Sequence, residues 1–355
     1  MATQLSFDDL WSSIAEPKPR RKLLVTGASG FIGGFLVEKA LQEGFDVWAG
    51  IRGTSSRKWL QDERIHFIEL TYGDVATLRA QLQAFAADEG RWDVIIHCAG
   101  VTKCLDPNDF NRINLIGSRN FVDTLVNLSL VPRQFIFMSS LGAYGPVHEA
   151  EPHVPITDAD EPRPNTRYGI SKLHVEDHLK NIGDFPYVIF RPTGVYGPRE
   201  KDYFLMVESI SKGIDVALGH KPQDITFIYV KDLVKAVFLA IDKGVTQRAY
   251  FVSDGDVHSS RDFSDLICRE LPKERVLRIV APLWLGRAAA GACELWSRIA
   301  KKPVTLNKDK YNILRQRNWI CDIQPLRDEL GFSPDYNLER GVAETIRWYK
   351  EEHWI

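Results

Sequence analysis

The sequence predicts an α/β fold, a doubly wound parallel sheet joined to a smaller C-terminal α/β lobe, and three observations predict it. Short apolar runs alternate with stretches of helical periodicity through the first half of the chain, the pattern of parallel strands linked by crossover helices. The first run empties into a glycine-rich turn, Thr26-Gly27-Ala28-Ser29-Gly30-Phe31-Ile32-Gly33, that opens a helix. Much later, Tyr168-Gly169-Ile170-Ser171-Lys172 puts a phenol and an ammonium at positions i and i+4, on one face of a predicted helix.

Leu23-Leu24-Val25-Thr26, after the basic Arg20-Arg21-Lys22, reads as a strand buried on both faces. The helix that follows spans residues 31–41 and ends near Gly44. Without Cβ atoms, Gly27 and Gly30 let backbone approach a pyrophosphate at the helix N-terminus, where unpaired N–H groups favour anions; Gly33 admits close helix–strand packing. Dinucleotide binding is expected at this turn, with Ser29, Phe31 and Ile32 among the contacts. The plainer alternative is a glycine turn that binds nothing.

The second strand, residues 45–51, should end beside an adenosine ribose, where NAD-selective proteins usually present a carboxylate. This chain continues Arg52-Gly53-Thr54-Ser55-Ser56-Arg57-Lys58, with no acid. Arg52 can grip a 2′-phosphate in forked fashion, with Ser55 beside it. NADP(H) is therefore the expected cofactor and NAD(H) the alternative, unless these are merely solvated loop cations.

A third strand covers residues 65–70, and Tyr72-Gly73-Asp74-Val75 turns into a helix. Asp74, with Val75, is placed either to meet the adenine amino group or to cap that helix. The fourth strand, residues 93–97, leads into Cys98-Ala99-Gly100, small residues that let backbone lie against a cofactor. Asn114 falls in a long helical segment, residues 108–128. The fifth strand, residues 134–138, delivers Ser139 and Ser140 to the carboxyl end of the sheet, where open α/β folds hold ligands and a hydroxyl can hold a carbonyl oxygen. Tyr168, with an ordinary pKa of about 10, is expected to be drawn toward neutrality by Lys172, each unit being worth roughly 1.4 kcal/mol.

Composition narrows the remaining choices. A chain of 355 residues accommodates a full α/β core and a second lobe, and a net charge of -2 gives no general attraction to nucleic acid or anionic membrane. The five cysteines form no Cys-x-x-Cys pair and no metal-ligand spacing, so reduced cytosolic thiols and no metal are expected. No signal-peptide apolar region precedes the linker-like residues 17–22, which argues against export and for a cytoplasmic protein. Residues 279–299 are apolar but interrupted by Arg287, Glu294 and Arg298, which excludes a membrane span. An amphipathic helix packing on the second lobe is expected there, the alternative being a helix that roofs an apolar substrate or touches a membrane. Trp284 and Trp296 are expected in the core. Residues 322–330 and 338–350 read as short amphipathic helices around Gly331-Phe332-Ser333-Pro334 that close the lobe.

Taken together and in order, the glycine turn, Asn114, Ser140 and Tyr168-x-x-x-Lys172 resemble the extended short-chain dehydrogenase/reductase family, the NAD-dependent epimerase/dehydratase superfamily, from about Lys22 to the C-terminus. The resemblance implies a Rossmann-like domain over residues 22–190, after an extension at 1–21, and a mainly substrate-binding lobe over 191–355 with segments returning to the first domain. It makes Tyr168 the general acid/base and Lys172 its cationic partner and a ribose contact. Ser140, four residues before Tyr144, becomes the group that orients the substrate oxygen, and Asn114 a structural or proton-relay position. Arg191, Pro192, Gly194 and Val195 match the segment that lines the nicotinamide. A homodimer through residues 108–128 and 166–182 is also implied.

Sugar-nucleotide members of the family usually carry Asn where this chain has Gly194, and Arg before the later Phe-Ile-Tyr-Val strand, where it has Thr226. The Ser139-Ser140-Leu141-Gly142 turn lacks the Asp-Glu pair of resembling dehydratases. Arg191-Pro192-Thr193-Gly194-Val195-Tyr196-Gly197-Pro198 and Arg52 look more like dihydroflavonol reductases and 3β-hydroxysteroid dehydrogenases. The expected function is an NADP-dependent reductase or dehydrogenase of a bulky, mostly apolar carbonyl or alcohol. The alternatives are a nucleotide-sugar 4-epimerase and a non-catalytic NADP-binding sensor or scaffold.

Overall fold

The apolar runs of the first half become strands of one parallel sheet. The computed structural model describes residues 20–150, 153–271, 275–301 and 304–355; most of the expected N-terminal extension lies outside the described residues. In chain order come β1 (Lys22–Thr26), α1 (Phe31–Gln42), β2 (Asp46–Ile51), β3 (Ile65–Glu69), α2 (Val75–Glu89), β4 (Val94–His97), α3 (Gly117–Asn127), β5 (Gln134–Met138), α4 (Arg167–Asn181) and β6 (Tyr187–Pro192). The second half adds β7 (Gly194–Tyr196), α5 (Asp202–Ser211), β8 (Ile214–Leu218), β9 (Asp224–Ile225), β10 (Phe227–Tyr229), α6 (Val230–Lys243) and β11 (Arg248–Val252). It closes with β12 (His258–Ser259), α7 (Asp262–Glu270), β13 (Leu277–Ala281), α8 (Leu283–Ala300), α9 (Lys308–Leu314), β14 (Asn318–Trp319), α10 (Gln324–Leu330) and α11 (Leu338–Glu351).

Seven strands form the main sheet in the order β11-β6-β5-β4-β1-β2-β3, every neighbouring pair parallel. The chain runs outward from β1 through β2 and β3, then returns and runs the other way from β4, so strand order reverses between β1 and β4. In an open parallel sheet a crevice forms at that reversal, outside the carboxyl ends of the strands. One face of the sheet is buried under α1 and α6, with Leu36, Val37, Ala236 and Val237 at the contact. The other is buried under α2, α3 and α4, with Leu78, Phe121 and Val175. Two-sided burial is the reason the strands read as unbroken apolar runs.

Three segments differ from the sequence expectation. The single helix read over residues 108–128 is a π-helix from Phe110 to Ile116 followed by α3; the wider winding accompanies the anchoring of Asn114 to a neighbouring loop. The apolar stretch over 279–299 begins as β13, paired in parallel with β8, until Pro282, which has no N–H to give a ladder, ends the strand and opens α8. Trp284 and Trp296 on α8 are 70% and 58% exposed and are not core residues, because the helix turns its other face to the protein. Of the two C-terminal helices, α11 packs into the second core with Tyr196, Phe227 and Phe263, whereas α10 returns Leu326 and Leu330 to the main sheet's core.

Candidate active site

The glycine turn is built by close contact across the strand reversal. Thr26 Oγ1 lies 2.8 Å from His97 Nδ1 and accepts the Ala99 N–H at 3.2 Å, tying the ends of β1 and β4 together. Gly27 has φ 68, and an added Cβ would lie 2.8 Å from Ala99 N and 2.9 Å from the Cys98 carbonyl carbon, so only glycine fits. Gly30 donates to the Gly27 carbonyl at 2.9 Å, and a Cβ on Gly33 would overlap that same carbonyl. Gly30 is the N-cap of α1, and no side chain caps the helix; by contrast Asp74 and Thr166 cap α2 and α4. Unfilled N–H groups beside a side-chain-free backbone fit the pyrophosphate of a dinucleotide. Ser29, Phe31 and Ile32 lie on this turn and on the first turn of α1, and Cys98, Ala99 and Gly100 form the opposing wall. The Cys98 thiol is pushed up to about 12 by burial, so it stands there as a small neutral group.

At the adenosine end the structure adds an acid that the sequence reading had not placed. Glu69 ends β3 in register with Ile51, and its carboxylate would lie 3.2 Å from a Cβ on Gly53. Sequence distance from β2 concealed it. Arg52 is exposed, its N–H bonded to Ser55 Oγ at 3.1 Å, while the Arg57 guanidinium sits 4.0 Å over the Phe67 ring. Asp74 fills the capping role weighed for it: Oδ1 accepts from the Ala76 and Thr77 N–H groups at 3.0 and 3.3 Å, and Oδ2 from the Thr77 hydroxyl at 2.8 Å. Val75 is exposed at the start of α2.

The structure brings Ser140, Tyr168, Lys172 and Asn114 together at the ends of β4 and β5. Thr166 accepts the Gly169 N–H at 3.0 Å, and Gly169 presses so closely on the Gly142 carbonyl that no Cβ would fit. That contact seats α4 against the turn after β5 and lets Ser140 hydrogen-bond the Tyr168 phenol. Ser140 Oγ also accepts the Gly142 N–H at 3.1 Å. Asn114 Oδ1 accepts the Val101 N–H at 2.7 Å, and Nδ2 donates to the Val101 carbonyl at 3.0 Å and Ser171 Oγ at 3.3 Å. Asn114 thereby clamps the loop after β4 to the helix that carries Tyr168.

The expected lowering of the phenol pKa is not what this geometry gives. Burial pushes Tyr168 up to about 12, with the Ser140 hydrogen bond opposing it. Lys172 Nζ donates to the Met138 carbonyl at 2.7 Å and lies 5.9 Å from the centre of the Tyr168 ring, so its charge is directed at backbone oxygen. Burial also lowers the Lys172 ammonium to about 8.

The Arg191 side chain is engaged within the protein. Its guanidinium is fully buried between the Tyr144 and Phe251 rings, with Nη2 2.8 Å from Glu176 and Nη1 2.5 Å from Asp158. Its side chain is a strut between β6 and α4. Ser139 joins the same network by donating to Glu176 Oε1 at 2.6 Å. Glu176 was missed from sequence, although Tyr168, Lys172 and Glu176 recur at every fourth residue of one helix. Beyond Pro192, the last residue of β6, Gly194 and Val195 pair with Phe227 and Ile228. A Cβ at Gly194 would overlap the Tyr203 hydroxyl. Thr226 is buried, its Oγ1 2.7 Å from the Trp319 carbonyl and 2.9 Å from Thr193 Oγ1. A third missed residue, Asp309 on α9, accepts the Arg167 N–H at 2.9 Å, and no local signal in the sequence points to it.

Comparison with known proteins follows the same lines. A model described as "NAD dependent epimerase/dehydratase family" matches residues 23–253. The UDP-glucose 4-epimerase of Vibrio cholerae is 24% identical over 343 residues, covering 93% of this chain and 96% of its own. The ceramide reductase of Caulobacter vibrioides is 25% identical over 342 residues, covering 95% and 96%. Among solved structures, the NAD complex of dTDP-glucose 4,6-dehydratase from Bacillus anthracis superposes with a TM-score of 0.73 at 18% identity, covering 94% of this chain and 98% of its own.

Proposed function

The chain belongs to the NAD dependent epimerase/dehydratase family of enzymes, within the extended short-chain dehydrogenase/reductases, and on that premise we propose that it is an oxidoreductase reducing the carbonyl of a bulky, mostly apolar substrate. The observation that carries this reading is the surroundings of Gly194 and Thr226. Tyr203 takes the space at Gly194, and Ile225 and Thr226, which precede Phe227, bring no cation. A sugar diphosphate would find neither amide nor guanidinium there, each charge-assisted contact being worth roughly 1.5–3 kcal/mol.

A nicotinamide dinucleotide seated on the Gly27–Gly33 turn supplies the hydride. Ser140 Oγ and the Tyr168 hydroxyl hold the carbonyl oxygen, and Tyr168 gives its proton to that oxygen as the carbon is reduced. A phenol held near 12 is fully protonated at neutral pH and ready to act as the acid. Lys172, cationic below about 8, holds the end of β5 through the Met138 carbonyl, and the phenolate left behind is reprotonated from solvent. We assign NADP(H) as the preferred cofactor on the exposed Arg52, with Glu69 as the feature that would favour NAD(H) instead. Ile116, Val126 and Ile170 are exposed on the segments from Phe110 to Asn127 and on α4, which supports a homodimer through those helices. The division at residue 190 is supported by the second core, whose buried residues all follow Tyr196 or include it.

The names of the relatives favour a second reading, a nucleotide-sugar 4-epimerase, over the carbonyl reductase. In that reading Tyr168 removes a hydroxyl proton during oxidation and returns it after the sugar turns over. Parallel panels of bulky ketones and nucleoside-diphosphate sugars, followed by NADPH absorbance and NMR of sugar products, separate the two. Net NADPH loss with a ketone supports the reductase; sugar inversion without cofactor loss overturns it in favour of the epimerase.

A further inference from the structure

The helix α8 is amphipathic in the reverse of the usual sense. Gly286 packs on Leu218, and Ala290 and Ser297 are buried, so the side turned to the protein is made of small residues. The exposed side carries Trp284, Leu285, Leu295 at 62%, Trp296 and Ile299 at 75%. At 100° per residue these five fall within about a third of the helix circumference. Beside the helix, on the strands that carry Leu218 and its neighbours, Val216, its register partner Ile279 and nearby Leu277 are also exposed. An exposed apolar helix face of this kind marks an interaction site.

Charge at its rim identifies the partner. Arg287 on α8, Lys301 at its C-cap and Lys221 in the loop after β8 are exposed, and none of them makes an ion pair among the described residues. The acid of the helix, Glu294, is taken up by Lys308, whose N–H it accepts at 2.9 Å. A second copy docking by two-fold symmetry would set this cationic rim against itself. No described helix is long and apolar enough to cross a membrane, but tryptophans beside leucine and isoleucine, flanked by cations, suit a helix lying in a lipid–water interface.

We propose that the outer face of α8, with the adjoining β8–β13 surface, docks on a bilayer surface bearing anionic headgroups. The test uses the full chain, sedimented with vesicles of phosphatidylcholine alone or mixed with phosphatidylglycerol, and does not depend on turnover. Wild type should bind the mixed vesicles more strongly and lose affinity with added salt. Trp284→Glu with Trp296→Glu should lower partitioning about tenfold or more, with far-UV circular dichroism and NADPH binding retained. Arg287→Glu should weaken binding to the mixed vesicles only. Absence of wild-type binding, or equal binding by the double variant, overturns the proposal. So does a stable dimer that the double substitution converts to monomer in sedimentation velocity, since a second copy would then own the face.

Discussion

Asp309 accepts the Arg167 N–H at 2.9 Å, so a carboxylate from the second lobe holds the first turn of the helix that carries Tyr168. Asp309→Ala should slow kcat several-fold with little change in cofactor affinity, and should cost roughly 1 kcal/mol of stability. Asp309→Asn, which keeps an acceptor oxygen, should recover part of both. Steady-state kinetics beside urea unfolding decide it; unchanged kcat in the alanine variant would remove the positioning role.

Tyr168→Phe removes the proton but keeps the ring beside Phe110. Turnover should fall about 10²–10⁴-fold, while NADPH titration by fluorescence gives an affinity close to wild type. Retained turnover would dismiss Tyr168 as the acid.

Lys172 carries a stability signature of defined sign. Its folded pKa of about 8 lies below the ordinary 10.5, so between those values the unfolded chain binds the extra proton and stability rises with pH. The penalty is fully present below pH 8 and is relieved above 10.5, amounting to roughly 3 kcal/mol at most. Lys172→Met should lack this rise, which urea unfolding of both proteins across that window measures.

Glu176→Gln should destabilise the protein by about 3 kcal/mol, because Arg191 is left buried with half its partners gone. NADPH affinity of the folded protein should stay within about twofold, as expected of a strut. A large loss of affinity at unchanged stability would return Arg191 to the cofactor.

Arg52→Ala should weaken NADPH by roughly ten- to a hundredfold and leave NADH unchanged, the worth of a charge-assisted phosphate contact. Glu69→Ala, lifting a carboxylate from the same edge, should move the ratio the other way. Equal affinities for both cofactors in wild type would remove the argument from Arg52.

Much of the first half was legible because its signals are local. A strand buried on both faces must be apolar throughout, and a glycine whose added Cβ would lie 2.8 Å from Ala99 N cannot be replaced, so both leave marks in consecutive residues. The same held for Ser140, Tyr168 and Lys172, whose spacing on strand end and helix brings them together. What escaped depended on distant chain: Glu69 reaches the end of β2 only through strand pairing, and Asp309 meets Arg167 across the lobes. Lys172 shows the remaining limit, since spacing predicts neighbours and burial decides which oxygen the ammonium serves. The outward face of α8 misled because an apolar helix reads alike whichever side is buried.

The π-helical winding from Phe110 to Ile116 has a genetic meaning. A π-turn is what a helix makes of one residue too many, so the Asn114 clamp is recorded in the gene as a length as well as an identity. Loss of a single codon within that stretch would let the segment relax to ordinary α winding and rotate Asn114 away from Val101, with every other residue of the site still encoded.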